Sequence, residues 1–145
     1  MPVIRACKQC GQKNRVGAGH LANTGRCGAC KSELPPVEEP LQVEEAEFEE
    51  IVKGAKVPVL VDFWAAWCGP CRTAAPEVAR TAATMAGKAV VLKVDTEKSP
   101  ALAGRYNVQG IPNFVVIAGG KMVLQQAGLV SHEVMEGWLR QAGAA

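Results

Sequence analysis

The sequence predicts an α/β fold, a mixed central sheet covered on both faces by helices, preceded by a small cysteine-rich domain. Three observations support this class. Apolar, β-rich runs alternate with helical patterns from residue 37 onward, four of the six cysteines lie within the first 30 residues, and a proline-rich stretch separates the two parts. Alternating strands and helices favour a sheet with helices on its faces. We therefore expect two domains, residues 1–36 and 37–145.

The elements of the larger part follow one another in a regular order. Residues 43–55 place apolar side chains at helical spacing among glutamates, which predicts an amphipathic helix. Residues 57–65 and 89–95 are apolar on both faces, as buried strands are. The other predicted elements are a first strand at residues 41–43, a helix over about 70–85 kinked by Pro76, a short helix opened by Ser99 and Pro100, a hairpin turning at Gly119 and Gly120, and a last helix capped by Ser131.

Composition and length exclude several classes of protein. A hydrophobic content of 48% and a charged content of 21% are ordinary for a folded, soluble chain. The apolar runs fall far short of the ~20 residues of a membrane span, and the first residues lack the apolar segment of a secretory signal. We therefore predict a cytoplasmic protein with no membrane partner. In that reducing compartment, cysteine pairs are more often metal ligands or catalytic dithiols than structural disulfides.

Charge is distributed unevenly along the chain. Residues 1–35 carry six basic residues and one glutamate, residues 36–50 carry seven glutamates and no base, and the whole chain has a net charge of +2. The basic first segment raises the question of nucleic acid. However, four thiolates around a divalent cation would lower its charge, and it has no aromatic residue for base stacking. Nucleic-acid binding is therefore not expected.

The first four cysteines predict a metal site. Cys7, Cys10, Cys27 and Cys30 follow a C-x2-C-x16-C-x2-C spacing, which lies within the range of structural zinc sites. So short a segment can scarcely bury a core, so the metal would hold its fold together. Four thiolates also close a tetrahedral shell and leave no open catalytic position. One structural or redox-sensitive Zn²⁺ is predicted; two disulfides or a redox-active set are the alternatives, and His20 is expected to be solvated.

The third cysteine pair lies in a different context, the stretch "VDFWAAWCGPC" at residues 61–71. Cys68 and Cys71 stand where a buried strand passes into a helix, and the unpaired N–H groups and the dipole at a helix start favour a thiolate there. The thiolate is the nucleophilic form of cysteine. One helical turn on, Cys71 is within reach to attack a mixed disulfide and release it. The pattern therefore predicts a catalytic dithiol and a redox-active Cys68–Cys71 disulfide.

These residues resemble the thioredoxin family over roughly residues 40–145. The likeness rests on W-C-G-P-C after this strand, on Pro76 within the helix, on G-I-P at residues 110–112 and on Gly128 after the hairpin. With the four-cysteine segment in front, the whole chain is similar to the zinc-containing bacterial thioredoxin 2 type of that family. The resemblance implies a thioredoxin fold behind a zinc-ribbon-like domain. It also implies a protein-disulfide reductase that receives electrons from NADPH through thioredoxin reductase.

The resemblance also implies roles for single residues. Cys68 would attack and Cys71 resolve, and Pro112 would be the cis-proline opposite the disulfide. Asp62 matches the family's buried carboxylate; because burial disfavours its charge, its pKa should rise, making it a proton acceptor for the Cys71 thiol. The alternatives are a solvated Asp62 and an ordinary strand-entry proline. The residues expected to edge a shallow groove for disulfide-containing substrate proteins are Trp67, Gly69, Pro70, Ile111 and Gly128.

The sequence departs from the family pattern near Asp62, and it is compatible with two other functions. The family often has a lysine near the buried carboxylate; Val91 occupies that position here, and Lys93 follows on the same strand face. Two other functions also fit the pattern of domains, namely a binding module with a thioredoxin-like scaffold and a zinc-controlled chaperone. The intact pair Cys68 and Cys71 favours the reductase.

Overall fold

The computed structural model describes residues 3–144 and has the predicted fold class. Its first segment consists of two short hairpins and a 3-10 helix, and its second part is a five-stranded sheet with four helices. The elements in chain order are β1 Val3–Ala6, β2 Lys13–Val16, the 3-10 helix Ala18–His20, β3 Gly25–Arg26, β4 Glu33–Leu34, β5 Leu41–Gln42, α1 Glu45–Gly54, β6 Val59–Trp64, α2 Gly69–Thr84, β7 Val90–Asp95, α3 Pro100–Arg105, β8 Asn113–Ala118, β9 Lys121–Ala127 and α4 His132–Gln141.

The central sheet has the strand order β5-β7-β6-β8-β9. Strands β5, β6 and β7 run parallel, while β8 and β9 run antiparallel to their neighbours. Strand β6 lies between β7 and β8, and helices cover both of its faces, which explains its continuous apolar sequence. One face packs with Phe48 and Ile51 of α1 and Leu102 of α3, and the other with residues of α2 and α4.

Helix α2 begins directly after the loop that leaves β6. Cys68 is its N-cap in extended conformation, and Pro70 occupies its first turn, where a missing N–H costs nothing. Pro76 lies inside the helix on an exposed side, and the helix continues to Thr84. The sequence thus places Cys68 and Cys71 at the positive end of a helix that starts at the carboxyl edge of the sheet.

Residues 3–36, which we call the ribbon, fold as two hairpins with one C-x-x-C turn each. The first cysteine pair lies between β1 and β2, and the second lies between β3 and β4. Both hairpins are too short to enclose an apolar core of their own. A small hairpin pair of this kind needs an additional constraint to be stable.

The ribbon also packs against the larger part of the chain. The proline-rich stretch at residues 34–40 predicts an extended connector between separate units, but Leu34 and Val37 are buried. Val37 donates a backbone hydrogen bond to the carbonyl of Leu21 at 3.0 Å, and both side chains belong to the core cluster of Phe48. Hydrophobic burial therefore draws the connector and the ribbon onto the face that α1 covers.

Two glycines lie where the backbones of the two parts approach each other closely. A Cβ on Gly54, the last residue of α1, would lie 3.1 Å from the Cβ of Ala18, and a Cβ on Gly19 would lie 3.0 Å from the Gly54 carbonyl oxygen. Side chains at either position would push the 3-10 helix away from α1. Within residues 3–144, no helix has the length and apolar character needed to cross a membrane.

Candidate active site and metal centre

Cys68 and Cys71 form a disulfide at the start of α2, with 5.3 Å between their Cα atoms. Both residues are buried, and the backbone N–H of Cys71 points to the Cys68 Sγ at 3.2 Å. This N–H is one of the donors that a helix start leaves without an intrahelical partner. In the reduced pair, the same donor and the helix dipole favour negative charge on the Cys68 sulfur.

The loop before β8 lies against this sulfur. The Ile111–Pro112 peptide bond is cis, and the carbonyl oxygen of Ile111 lies 3.7 Å from the Cys68 Sγ. Gly128 donates its N–H to the carbonyl of Pro112 at 2.8 Å. Gly128 has a φ of +97°, which favours glycine at this position. The structure thus brings Ile111, Pro112 and Gly128 together beside the disulfide.

The residue before Cys68 carries an exposed aromatic ring. Trp67 is 66% exposed, and its indole Nε1 donates to the Glu97 carboxylate at 2.7 Å. Glu97 is itself fixed by its backbone N–H, which donates to Asp95 at 2.9 Å. Gly69 and Pro70 are exposed next to this ring. Glu97 carries no signal in the sequence, because a glutamate in a loop has no periodicity that would mark it.

Asp62 is buried in the middle of the central strand. Its side chain is on the same face of β6 as Leu60, which packs against Ala74 and Val78 of α2, and it lies one pleat nearer to the carboxyl end of the strand. It is 1% exposed, and its Oδ1 has no hydrogen-bond partner among the described residues. The sequence-based expectation of a buried carboxylate rather than a solvated one agrees with this placement.

Burial raises the pKa of Asp62 to about 7, and the positive charge of Lys93 opposes that rise. Lys93 is the register partner of Asp62 on β7, and its Nζ lies 4.9 Å from the centroid of the Trp64 ring. The ammonium is therefore held by an aromatic face rather than by the carboxylate. A buried carboxylate whose Oδ1 has no hydrogen-bond partner within residues 3–144 can accept a proton near neutral pH.

The other four cysteines converge on one point in the ribbon. Their sulfur atoms all lie within 4.8 Å of one another, with 3.7 Å between Cys7 and Cys30 and 3.6 Å between Cys10 and Cys27. All four are free thiols. A tetrahedral shell with Zn–S bonds of about 2.3 Å places neighbouring sulfurs about 3.8 Å apart. The four residues therefore fit a four-coordinate, thiolate-bound metal ion.

The backbone around each C-x-x-C turn, which we call a knuckle, explains this convergence. Gly11 and Lys31, the residues that follow the two knuckles, have φ values of +78° and +66°, so each chain turns back sharply after its second cysteine. The N–H groups of Gln9 and Ala29 point to the sulfurs of Cys7 and Cys27, both at 3.4 Å. Such donors stabilise thiolates in metal sites.

The sulfur of Cys27 has several hydrogen-bond donors around it. Backbone N–H groups of Cys30 and Ala29 lower the pKa of Cys27 to about 6. Asn14 connects the two hairpins, because its Nδ2 lies 3.7 Å from the Cys27 sulfur and its Oδ1 accepts from the N–H of Gly28 at 2.9 Å. Asn14 is not part of any motif in the sequence and carries no spacing signal. His20 is exposed, pairs with Asn23 and lies outside the cluster.

A disulfide between two cysteines at a helix start, beside a cis-proline loop, is the arrangement of a thiol–disulfide exchange protein. The sequence model of thioredoxin matches residues 39–141. The chain belongs to the thioredoxin family, and its four-cysteine cluster fits the zinc-containing type of that family. This membership confirms the predicted enzyme class, since thioredoxins are protein-disulfide reductases.

Individual relatives show how far the likeness extends. Thioredoxin C-3 of Corynebacterium nephridii is 37% identical over 139 residues, which are 96% of this chain and 94% of that protein. Thioredoxin 1 of Nostoc sp. is 44% identical over 89 residues, 61% of this chain and 83% of that protein. A solved structure of a mutant thioredoxin from Halobacterium salinarum has a TM-score of 0.67 at 33% identity, covering 74% of this chain and 94% of its own.

Proposed function

We propose that this protein reduces disulfide bonds of other proteins by dithiol–disulfide exchange. The observation that carries the proposal is the Cys68–Cys71 disulfide at the N-terminus of α2, on the face of β6 that holds the buried Asp62. A helix start favours the thiolate, and the second cysteine is one turn away. No other residue type is needed to move two electrons between dithiol and disulfide.

The reaction proceeds in two exchange steps. The Cys68 thiolate attacks one sulfur of the substrate disulfide, which forms a mixed disulfide and releases the other substrate sulfur as a thiolate. The Cys71 thiol then loses its proton and attacks Cys68, so the second substrate sulfur leaves and the Cys68–Cys71 disulfide forms. The substrate gains two electrons from the enzyme and leaves as two thiolates, which take up protons from solvent, while the enzyme gives up the one proton of Cys71.

Asp62 accepts the proton of Cys71 in the second step. Its pKa of about 7 matches a base that works near neutral pH, and it has no hydrogen bond at Oδ1 that would compete for that proton. A carboxylate with the usual pKa of about 4 would be a much weaker base toward a thiol. Burial thus makes the residue suited to this transfer.

Substrate proteins bind across the rim of the disulfide. The groove consists of Trp67, Gly69 and Pro70 on one side and Ile111 with Gly128 on the other, and Pro112 shapes the loop between them. The exposed ring of Trp67 offers apolar surface, and the backbone beside Ile111 is placed to pair with an extended substrate strand. NADPH-linked thioredoxin reductase returns the enzyme to its dithiol form.

The ribbon holds one Zn²⁺ on Cys7, Cys10, Cys27 and Cys30. Its first role is structural, because four thiolates leave no open coordination position for chemistry. A thiolate shell in so small a segment is also sensitive to oxidants, since the metal and the oxidant compete for the same sulfurs. On this basis residues 1–36 form a zinc domain and residues 37–145 the catalytic domain. The reducing cytoplasm is the compartment that suits both cysteine sites.

The test is reduction of insulin disulfides with thioredoxin reductase and NADPH, combined with a metal count. We expect NADPH consumption that depends on Cys68 and one zinc ion per chain. A Cys71→Ser variant should react once and accumulate a mixed disulfide. Normal turnover of that variant would exclude the two-cysteine mechanism, and a chain that purifies without zinc after metal-replete expression would exclude the metal assignment.

A further inference from the structure

We propose that the oxidised ribbon of one copy of this chain is a substrate for the Cys68–Cys71 dithiol of a second copy. This inference rests on the proposed function and names a substrate for it. The dithiol of one molecule would then reduce the ribbon disulfides of another by thiol–disulfide exchange. Three features of the structure support it: the pairing of the ribbon sulfurs, their exposure, and the place of the ribbon in the fold.

Two pairs of ribbon sulfurs join one hairpin to the other at short distance. The sulfurs of Cys7 and Cys30 lie 3.7 Å apart, and those of Cys10 and Cys27 lie 3.6 Å apart. Disulfide sulfurs are about 2.05 Å apart, so each pair needs a movement of less than about 2 Å to bond. Oxidation therefore has a short route to disulfides Cys7–Cys30 and Cys10–Cys27.

Each of these two pairs has one accessible member. Cys10 and Cys30 are exposed, while Cys7 and Cys27 are buried, at 3% and 0% exposure. Thiol–disulfide exchange requires the attacking thiolate to reach a sulfur in line with the bond that breaks. An incoming Cys68 can thus reach Cys10 in one disulfide and Cys30 in the other.

The fold keeps a molecule's own Cys68 away from its ribbon. The ribbon residues Ala18 and Leu21 meet the larger part beside Val57 and Val90, at the amino ends of β6 and β7. Cys68 follows the carboxyl end of β6. The six residues of that strand separate the two ends by about 17 Å at 3.3 Å per residue. The reductant of an oxidised ribbon must then come from another molecule.

The first knuckle is also tied down on that side of the sheet. Lys8 forms an ion pair with Glu38 at 2.9 Å, and Glu38 precedes β5, whose Leu41 is level with Leu92 in the middle of β7. Since Leu41 is level only with the middle of β7, Glu38, three residues earlier, lies farther from the carboxyl edge of the sheet. Both contacts of the ribbon with the larger part therefore lie away from the carboxyl ends of the strands, where Cys68 follows β6.

The electron balance of the cycle closes with a peroxide as oxidant. Four ribbon thiolates give four electrons to two peroxide molecules, which take up protons and leave as water, and two disulfides form while any bound cation is released. For each disulfide, Cys68 of a second copy attacks the exposed sulfur and Cys71 resolves the mixed disulfide. One ribbon disulfide becomes two thiols, and one Cys68–Cys71 dithiol becomes a disulfide.

The experiment mixes two full-length proteins that differ in mass. The acceptor is a Cys68→Ser/Cys71→Ser variant whose ribbon has been oxidised with hydrogen peroxide. The donor is ¹⁵N-labelled, fully reduced wild-type chain. After acid quenching and alkylation, mass spectrometry counts the thiols of each. We expect the acceptor to gain two ribbon thiols for each donor that loses the thiols of Cys68 and Cys71.

A second donor traps the intermediate. Cys71→Ser in the donor should accumulate a one-to-one adduct in which Cys68 is bonded to Cys10 or Cys30 of the acceptor. Links to Cys7 or Cys27 alone would overturn the assignment of the accessible sulfurs. An acceptor that gains no thiols would overturn the proposal as a whole.

Insulin reduction by the same donor preparation distinguishes a failure of this proposal from a failure of the proposed reductase function. A donor that reduces insulin but leaves the oxidised ribbon unchanged defeats this inference alone. A donor that reduces neither substrate defeats the proposed function, and with it this inference.

Discussion

The ribbon and the active site use the same C-x-x-C spacing in two different backbone settings. Cys68 and Cys71 flank the first turn of a helix, where the free N–H groups of the helix face one sulfur. In the ribbon, each pair lies in a hairpin turn that ends in a left-handed residue, Gly11 or Lys31. The spacing only brings two sulfurs within reach. The backbone decides whether they bond to each other or converge with a second pair.

The two regions also differ in what stabilises them. The active site lies at the end of a central strand that is covered on both faces. The ionisable side chain of Asp62 is buried within that core. The ribbon has short hairpins, and its buried side chain Leu21 belongs to the core of the other part. A region with its own core can bury an ionisable side chain that its function needs. The ribbon instead depends on its cysteines and on its packing against the larger part of the chain.

The largest contrast between the regions is expected for single cysteine replacements. Cys68→Ser should lower insulin reduction by on the order of 10⁴-fold or more, because it removes the only nucleophile of the first step. Cys10→Ser should leave kcat/KM of the same assay within about twofold, since the ribbon supplies no group to the reaction. Steady-state kinetics with thioredoxin reductase measures both.

The metal count of the same two variants is the control. Cys10→Ser should lose zinc affinity, and Cys68→Ser should keep one zinc ion per chain. A Cys10→Ser chain that stays folded but loses most of its reductase activity would show that the ribbon contributes to catalysis, and the comparison would fail.

Asp62→Asn should slow the reaction by about 10- to 100-fold at pH 8, because Asp62 is ionised there and accepts the proton of Cys71. The loss should shrink at pH 6, since wild-type Asp62 is already protonated below its pKa of about 7. Single-turnover rates across pH 6–9 measure the effect. Equal losses at every pH would remove Asp62 from the proton transfer.

The same replacement should stabilise the fold. The folded-state pKa of Asp62 is raised from 3.8 to about 7, so the native chain holds a proton that the unfolded chain has lost between these values. Wild-type stability therefore falls as pH rises from 4 to 7, and the deficit is complete above pH 7. The gain of Asp62→Asn should be near zero at pH 4 and at most about 4 kcal/mol at pH 8. Urea unfolding at both pH values decides the point.

Much of the fold and part of the site could be predicted from the sequence. Strong alternation of apolar strands and helices fixed the order of elements, and Ser131 did accept the N–H of Val134 as the predicted cap. The linker was different: three prolines between residues 34 and 40 favour extension, but nothing local shows that Val37 is buried on α1. Such packing depends on residues distant in sequence. For the same reason Glu97 and Asn14, whose partners are 30 and 13 residues away, gave no signal.

The contact between the two regions can be weakened at one position. Gly54→Ala adds a Cβ that would lie 3.1 Å from the Cβ of Ala18, so α1 and the 3-10 helix must separate slightly. We expect a loss of about 1 kcal/mol in the free energy of unfolding, measured in urea. Zinc should also pass to a competing chelator faster, because the ribbon is less firmly held.

Gly137→Ala is the matched control for this change. Gly137 lies inside α4, and a Cβ there meets no atom within 4 Å. Alanine in a helix interior is favoured over glycine, so this variant should be more stable by about 0.5–1 kcal/mol. If both variants gained stability and released zinc at the wild-type rate, the packing of Gly54 against Ala18 would have no role in holding the ribbon.

The smallest expected effect concerns Lys93, the cation beside Asp62. Its charge lowers the pKa of Asp62 while burial raises it more, so Lys93→Met should move this pKa upward. The activity–pH profile should shift to higher pH by the same amount, because Asp62 must be ionised to accept the proton. Titration of the Asp62 carboxyl carbon by NMR measures the pKa directly. Lys88→Met, at an exposed position before β7, should leave the pKa unchanged. A downward shift in Lys93→Met would mean that the ammonium acts through Trp64 packing and the burial of Asp62 rather than through its charge.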